Sequence, residues 1–370
     1  MEGMRCIAWA LVGLSTIPAA AVDSLVLVGT YSKGKSEGIY AYKFSSATGK
    51  LTSLGLAAKA SNPSYLAIHP NRRWVYAVGE NDHGTLTSYT LDEATGKLTS
   101  MNTVASKGAA PCHLSIDKTG KFLLAANYNG GNVGVFPIGA NGQLREASSV
   151  MQHQGHGVNP ARQEKAHAHS INVAKGNKFA IAADLGLDEV ITYRFDAKGG
   201  KLSPQSKAKL KDGSGPRHFA FHPSNQYAYS INELASTVTA FSWNSASGKL
   251  KEFQTISTLP ESFKGSNGTA EVVIHPNGKF LYGSNRGHQS IAMFSVDGTG
   301  RLTAQGQVPS GGEWPRNFNI DPSGEFLIAA NERSNSLAVF RIDQASGKLT
   351  ATGEKAEVGF PVCVKFLPVK

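Results

Sequence analysis

Cysteine is scarce in this 370-residue chain: Cys6, Cys112 and Cys363 are the only three. They give no spacing from which a disulfide framework can be read, and Cys112 and Cys363 are expected as free buried thiols. No proline- or serine-rich linker divides the sequence, so nothing marks a boundary between folding units. The single apolar run, Ile7 to Ile17, is too short to span a bilayer, and no other segment is a transmembrane candidate. The pattern Gly-x-Ser-x-Gly is missing, which removes the nucleophile elbow of the serine hydrolases. Glycine pairs sit in turns and not at a strand-to-helix junction that would cradle phosphates. The net charge is +10, yet the lysines are scattered and form no basic run or basic–aromatic cluster. That argues against a nucleic-acid partner and for a small anionic ligand.

What is present begins at the N-terminus. Arg5 precedes the apolar run, and Pro18 and Ala19-Ala20-Ala21 follow it. Charge, apolar run and small residues in that order make residues 1–21 a signal peptide, with cleavage expected before Val22. Cys6 lies early in the run, so a lipid anchor is not expected. The segment carries one Glu and one Arg, and its removal leaves the net charge unchanged. Residues 22–370 are expected to form a single domain. The protein would be periplasmic or secreted, or cytoplasmic if the N-terminus stays uncleaved.

One stretch sets the pattern for the rest: Gly215 to Leu234, GPRHFAFHPSNQYAYSINEL. Two strand-like runs, His218 to Phe221 and Tyr227 to Ile231, flank the turn residues His222-Pro223-Ser224-Asn225. Arg217 and Glu233 therefore lie together at the open end of a hairpin. The same hairpin recurs from Ile68, Ile116, Val173, Ile274 and Ile320, with its strand-ending residue at Gly79, Asn127, Asp184, Asn232, Asn285 and Asn331. A second motif, a Gly-Lys-Leu type turn, recurs with Leu51, Leu98, Leu144, Leu202, Leu250, Leu302 and Leu349. Its glycine supplies the positive φ of a hairpin loop.

Repeats of roughly 40–50 residues with several strands each indicate propeller blades. There are seven turns of the second kind and six of the first. The missing partner is split between the chain ends. Leu25 to Thr30 reads as a second strand with no first strand before it, and Phe360 to Leu367 as a first strand with nothing after it. The expected fold is all-β: a seven-bladed β-propeller with four antiparallel strands per blade. A C-terminal strand joins three N-terminal strands to close the ring and leave no open end.

Two connections are long, Ser149 to Ala168 and Ser257 to Thr269, and both link a fourth strand to the next first strand. They emerge on the face where second strands end, and loops on a rigid scaffold are where sites are built. Aligned by repeat, the residues after the second strands are Tyr31, Glu80, Tyr128, Leu185, Glu233, Arg286 and Glu332. The first strands open with His113, His169, His218, Glu271 and Asn317, and Cys112, Arg217 and Arg316 come one residue before three of these. First strands line the channel of a propeller, so these side chains can converge at its mouth. Arginine binds carboxylate or phosphate with a bidentate fork. Histidine or glutamate moves a proton near neutral pH. The set suits chemistry on an anionic ester; the competing reading is a structural tie between blades.

The segment Gln152 to Ser170 holds four histidines. His167 and His169, two apart, are compatible with a metal pair, and His169 equally with a catalytic histidine at a loop-to-strand junction. No compact set of further ligands accompanies them, so neither a metal nor another cofactor is expected.

The segments VNPARQEKAHAHS, GPRHFAFHPSNQYAYSINEL, AEVVIHPNGKFLYGSNRGHQSIAMF, GGEWPRNFNIDPSGEFLIAANERSNSLAVF and PVCVKFL resemble the seven-bladed lactonase family. That family includes propeller-type 6-phosphogluconolactonases and the fungal 3-carboxy-cis,cis-muconate lactonizing enzymes. The resemblance covers nearly the whole mature chain and implies a hydrolase acting on an anionic sugar lactone. Its histidine falls on His169, its glutamate on Glu233 and its arginines on Arg217 and Arg286, which become the expected catalytic set. Substrate is expected to meet Arg217, Arg286, Arg316, His113 and Arg162. The protein is expected to be a monomer or weak dimer with no nucleic-acid or membrane partner. Two alternatives stay open: a cycloisomerase of the muconate type, and an exported propeller that only binds a partner. The resemblance implies a 6-phosphogluconolactonase-like reaction, 6-phospho-D-glucono-1,5-lactone to 6-phosphogluconate, and the signal peptide leaves another sugar lactone open as the substrate of an exported chain.

Overall fold

A computed structural model describes residues 23–369, so the expected signal peptide lies outside the described residues. The described chain forms 28 strands in seven four-stranded antiparallel sheets. Six sheets each take four consecutive strands. The remaining one places Pro361–Pro368 innermost, followed outward by Ser24–Thr30, Gly38–Phe44 and Leu51–Lys59. The chain ends thus meet in one blade, as the split repeat requires. Inner strands of neighbouring blades pack side by side around the whole ring.

Burial follows radial position. Second strands such as Phe179–Asp184 and Phe326–Asn331 are buried at every residue, because a blade covers each face. Their continuous apolar sequences, FAIAAD and FLIAAN, match that demand. Outer strands such as Leu349–Glu357 show mostly exposed residues. The seam between the closing blade and its predecessor is a packed core. Val26, Val28, Tyr42 and Phe44 meet Phe326, Ile328, Leu337 and Val339 there.

The repeated motifs have physical reasons that link one blade to the next. The histidine of each His-Pro turn reaches the following blade: His69 Nε2 lies 2.8 Å from the Gly120 carbonyl, His222 Nε2 2.9 Å from Gly278 and His275 Nε2 2.8 Å from Gly324. The glycine of the Gly-Lys-Leu turn serves the same end from the rim, where Tyr229 and Tyr282 donate to the carbonyls of Gly300 and Gly347 at 3.0 and 2.7 Å. The strand-ending asparagines hold the loops that leave the fourth strands. Asn127, Asn285 and Asn331 donate at 3.0 Å to the carbonyls of Ser106, Thr258 and Ser310.

One turn departs from its repeat. Leu144 makes only an isolated bridge to Ile138, and the fourth strand of its blade is the short Ser149–Gln152. The third strand ends at Pro137, which has no N–H to offer an outer neighbour. The long connection read as starting at Ser149 therefore starts at His153.

Candidate active site

The site is made by a repeated irregularity. Five inner strands enter the ring through a register shift that leaves one residue unpaired; in the closing strand that residue is Val362, between Pro361 and Cys363. Pro111 pairs with Asn127 and His113 with Ala126, which isolates Cys112. By the same pattern His169, Arg217 and Arg316 are the extra residues between Ala168 and Ser170, Pro216 and His218, and Pro315 and Asn317. A bulge of this kind re-aims the extra side chain. These registers correct the repeat alignment. His169 belongs with Cys112, Arg217 and Arg316, and His113 and His218 stand one residue deeper in the channel. The strand of His169 opens with Ala168 where the others have proline, so the marker that would have aligned it is absent from its sequence.

A pocket of about 520 Å³ opens over these bulges. Cys112, His169 and Arg316 from the bulges line it, with Glu80, Tyr128, Glu233 and Arg286 from the ends of second strands. Arg162 comes from one long connection and Ser266, Asn267 and Gly268 from the other. Trp314 completes the wall.

Glu233 is the electrostatic centre. Its Oε1 accepts from Arg162 Nη2 at 2.6 Å, and its Oε2 from Arg217 Nε at 3.0 Å and Arg286 Nη2 at 2.9 Å. Burial alone would raise the pKa of this carboxyl; the guanidiniums of Arg286, Arg217 and Arg162 outweigh burial and hold it well below the usual range. A carboxylate so tied is a poor proton acceptor and a good anchor. Arg286 also donates to the carbonyls of Gly268 and Thr269 at 3.2 and 2.8 Å, and burial pulls its pKa down to about 10. It stays charged at neutral pH.

The three arginines are not equivalent. Arg286 faces the pocket. Arg162 is 41% exposed at its side chain and bridges Glu233 to the Tyr128 hydroxyl at 3.2 Å. Arg217 is 2% exposed and is not part of the pocket wall; it stands behind Glu233 and donates to the Ala270 carbonyl at 2.8 Å. Arg217 was expected to hold substrate, and the bulge that brings it to Glu233 also buries it beneath the carboxylate. Arg316 is different again. Its direct partner is a phenol, Tyr31, at 2.6 Å, and its guanidinium lies 5.1 Å from the centre of that ring. Tyr31 passes the contact to Glu80, donating to the carboxylate at 3.0 and 3.1 Å. The Ser64 hydroxyl makes a further short bond to Glu80.

His169 sits between these systems. It is 5% exposed, with Nδ1 3.6 Å from Cys112 Sγ and Nε2 4.0 Å from Glu233 Oε2. Burial, with the positive charge of Arg217 behind it, lowers its pKa well below that of free histidine. The ring is neutral at neutral pH and holds a lone pair. The Cys112 thiol is pushed up by burial, so it is no thiolate nucleophile. Both cysteines in the described residues are free and buried.

One further expectation is corrected. His113 does not reach the pocket; it lies in a smaller cavity of about 130 Å³ deeper in the channel, with Tyr65, His218, Glu271 and Lys365. His167 and His169 do not form a metal pair. His167 Nδ1 faces the Tyr128 carbonyl at 3.1 Å and Nε2 faces Glu164 at 3.1 Å, so both nitrogens are committed to protein. Among the described residues no group of three or more His, Cys, Asp or Glu is placed to hold a metal ion.

The residues missed at the sequence level are Trp314 and the run Ser266 to Gly268. The long connection ending at Thr269 was the signal for the second, and Trp314 carried none beyond its place before Pro315. The connection carrying Arg162 is packed, which gives Arg162 a fixed base. His153 Nδ1 meets Asp184 at 2.6 Å, and Gln163 donates to the Leu185 carbonyl at 2.9 Å and to Asp188 at 2.8 Å.

Comparison with known proteins agrees with this architecture. The family model described as lactonase, 7-bladed beta-propeller, matches residues 25–366. The chain is 39% identical to the 6-phosphogluconolactonase of Bacillus subtilis (strain 168), over 92% of this chain and 97% of the relative. It is 35% identical to the 6-phosphogluconolactonase of Formosa agariphila, over 80% and 86%. Among solved structures, the periplasmic gluconolactonase of Pseudomonas aeruginosa superposes with a TM-score of 0.89 at 34% identity, covering 93% of this chain and 99% of that one. This chain belongs to the seven-bladed β-propeller lactonase family.

Proposed function

We propose that the protein hydrolyses a 1,5-lactone of a sugar acid carrying an anionic group, with 6-phosphogluconolactone the leading candidate. The relatives of that name support the reaction class. The observation that carries it is the pocket's charge. Four arginines, Arg162, Arg217, Arg286 and Arg316, gather around it against the carboxylates of Glu80 and Glu233, beside one neutral imidazole. Arg316, whose bond goes to a phenol, is free to pair with a phosphate or carboxylate in the fork geometry that guanidinium favours.

The chemistry then divides as follows. His169 Nε2 takes a proton from water as the oxygen attacks the lactone carbonyl. The oxyanion that forms is met by Arg286, whose charge is fixed in place by Glu233 and two backbone carbonyls. The ring C–O bond breaks, and the imidazolium returns its proton to the leaving alkoxide. The products are a carboxylic acid, which ionises, and a hydroxyl. Glu233 serves as the anchor of three guanidiniums and not as the base.

The same reading takes residues 1–21 as an export signal, which accords with a periplasmic relative in the family. The test is a lactone panel on the mature protein, with rates compared to spontaneous hydrolysis with and without chelator. His169→Gln should lower kcat by roughly 10²- to 10⁴-fold without lowering Tm. An unchanged kcat in a folded variant removes His169 as the base, and no acceleration of any sugar lactone removes the hydrolase. Ultraviolet change on adding 3-carboxymuconate would favour the cycloisomerase instead.

A further inference from the structure

Behind the pocket runs a line of buried polar side chains that the hydrolytic scheme does not use. We propose that His218, Glu271 and Asn317 are positioning residues, a hydrogen-bond relay of fixed direction that sets Arg217, and through it Glu233, from the deep side of the channel.

Both ends of the relay are irreversible. Arginine has N–H donors and no acceptor. Arg217 Nη1 lies 3.2 Å from His218 Nε2, so that nitrogen accepts and the ring proton sits on Nδ1. Nδ1 donates to Glu271 Oε1 at 2.8 Å. At the far end the backbone N–H of Val364, in the closing strand, donates to Asn317 Oδ1 at 2.8 Å. That contact orients the amide, and Asn317 Nδ2 then donates to Glu271 Oε2. The Val272 N–H adds a third donor, on Oε1 at 3.0 Å. Glu271 thus receives protons from both sides, and a carboxylate satisfies this where an amide cannot.

The relay is buried and leads forward to the pocket. His218, Glu271 and Asn317 are 3–6% exposed, and with Tyr65, His113 and Lys365 they line the small cavity deeper in the channel. None of the three lines the substrate pocket. Arg217 carries the relay forward to Glu233, which holds Arg286 and Arg162 on the pocket wall. Four blades contribute: the closing strand, then the strands of Asn317, Glu271 and His218 in turn. The position of the pocket's charge is thereby tied to closure of the ring.

The direction of the bonds makes a specific test. Glu271→Gln keeps the size but sets two donors against each other, at His218 or at Asn317. Asn317→Asp sets two carboxylates together. The double variant Glu271→Gln/Asn317→Asp gives every donor an acceptor again. Its new amide can face the new carboxylate while its carbonyl receives His218 and Val272. Histidine-selective ¹⁵N–¹H correlation spectra, with His218→Gln to identify the signal, should show an Nδ1–H tautomer at His218 in the parent protein. That signature should be lost or shifted in Glu271→Gln and regained in the double variant. Turnover of the lactone should fall about tenfold or more in each single variant and recover most of that loss in the double.

An Nε2–H tautomer in the parent overturns the relay outright. So does a double variant that folds no better and turns over no faster than the singles. Recovery of Tm without recovery of turnover reduces the network to a structural tie and overturns the positioning role. The turnover arm rests on the lactonase reading. Should the parent hydrolyse no lactone, that reading fails, and the tautomer still decides the relay.

Discussion

At the scale of single residues, the site separates fixed charge from free charge. Glu233 is consumed by three guanidiniums, and Arg217 and Arg286 are consumed in return. Arg316 keeps its fork available because Tyr31 asks for one bond from it. Under the proposed function, the anionic group of the substrate pairs with Arg316 and the reacting carbonyl lies on the side of His169 and Arg286. Arg316→Ala should therefore raise KM for 6-phosphogluconolactone by about 10- to 100-fold, the worth of a charge-assisted hydrogen bond of about 1.5–3 kcal/mol. KM for unphosphorylated glucono-1,5-lactone should change little. Steady-state kinetics on both lactones checks this; equal losses on the two would move the anionic group elsewhere.

At the scale of elements, two devices matter: the bulge that opens an inner strand and the latch that joins a turn to the next blade. The bulge turns a side chain out of the strand's alternation, so His169 and Cys112 meet across adjacent blades. The latch is a histidine against a glycine. Gly324 has φ +80°, and a Cβ there would stand 2.8 Å from His275 Cε1. Its carbonyl accepts from His275 Nε2 and from Gln344 Nε2 at 2.8 Å each. Gly324→Ala therefore combines left-handed strain of about 1–2 kcal/mol with displacement of the histidine. Thermal unfolding should show a Tm lower by several degrees with kcat and KM unchanged, since the latch lies at the turn end of the hairpin, opposite the pocket. Activity lost in the folded variant would mean that the latch also sets the site.

At the scale of the whole molecule, the ring encloses a channel lined with buried polar side chains. His113, His169 and His218 are buried and neutral, each held below the free histidine pKa first by burial. Their unfolded counterparts bind protons from about pH 6.5 downward, so the unfolded state gains protons first and stability falls as pH drops through that window. Glu271, raised by burial, takes up its proton in the folded state above the ordinary carboxylate range and there opposes this trend. Glu233, held low, contributes stability that is complete above about pH 4.5 and is lost as pH falls further. Tm should decline between about pH 6.5 and 5 and more steeply below 4.5. Calorimetry across that range checks it. A flat Tm down to pH 5 would mean that the channel histidines are charged, or solvated, in the folded ring.

The sequence by itself determined the fold of this protein. Strand periodicity, turn glycines and His-Pro turns are local signals, repeated around the ring, and the half-repeats at Leu25 and Phe360 count blades without any long-range information. It also determined Arg217 beside Glu233, because a hairpin brings its own ends together. Tertiary structure decided the rest, since a bulge leaves no mark in composition and shifts a side chain by one place. That shift moved His169 into the pocket ring, left His113 below it and buried Arg217 behind Glu233. Trp314, Asn267 and the relay through Glu271 and Asn317 depend on contacts between blades, which no single repeat contains. A repeat encodes what its own strands do; where charges from different repeats meet is settled only when the ring closes.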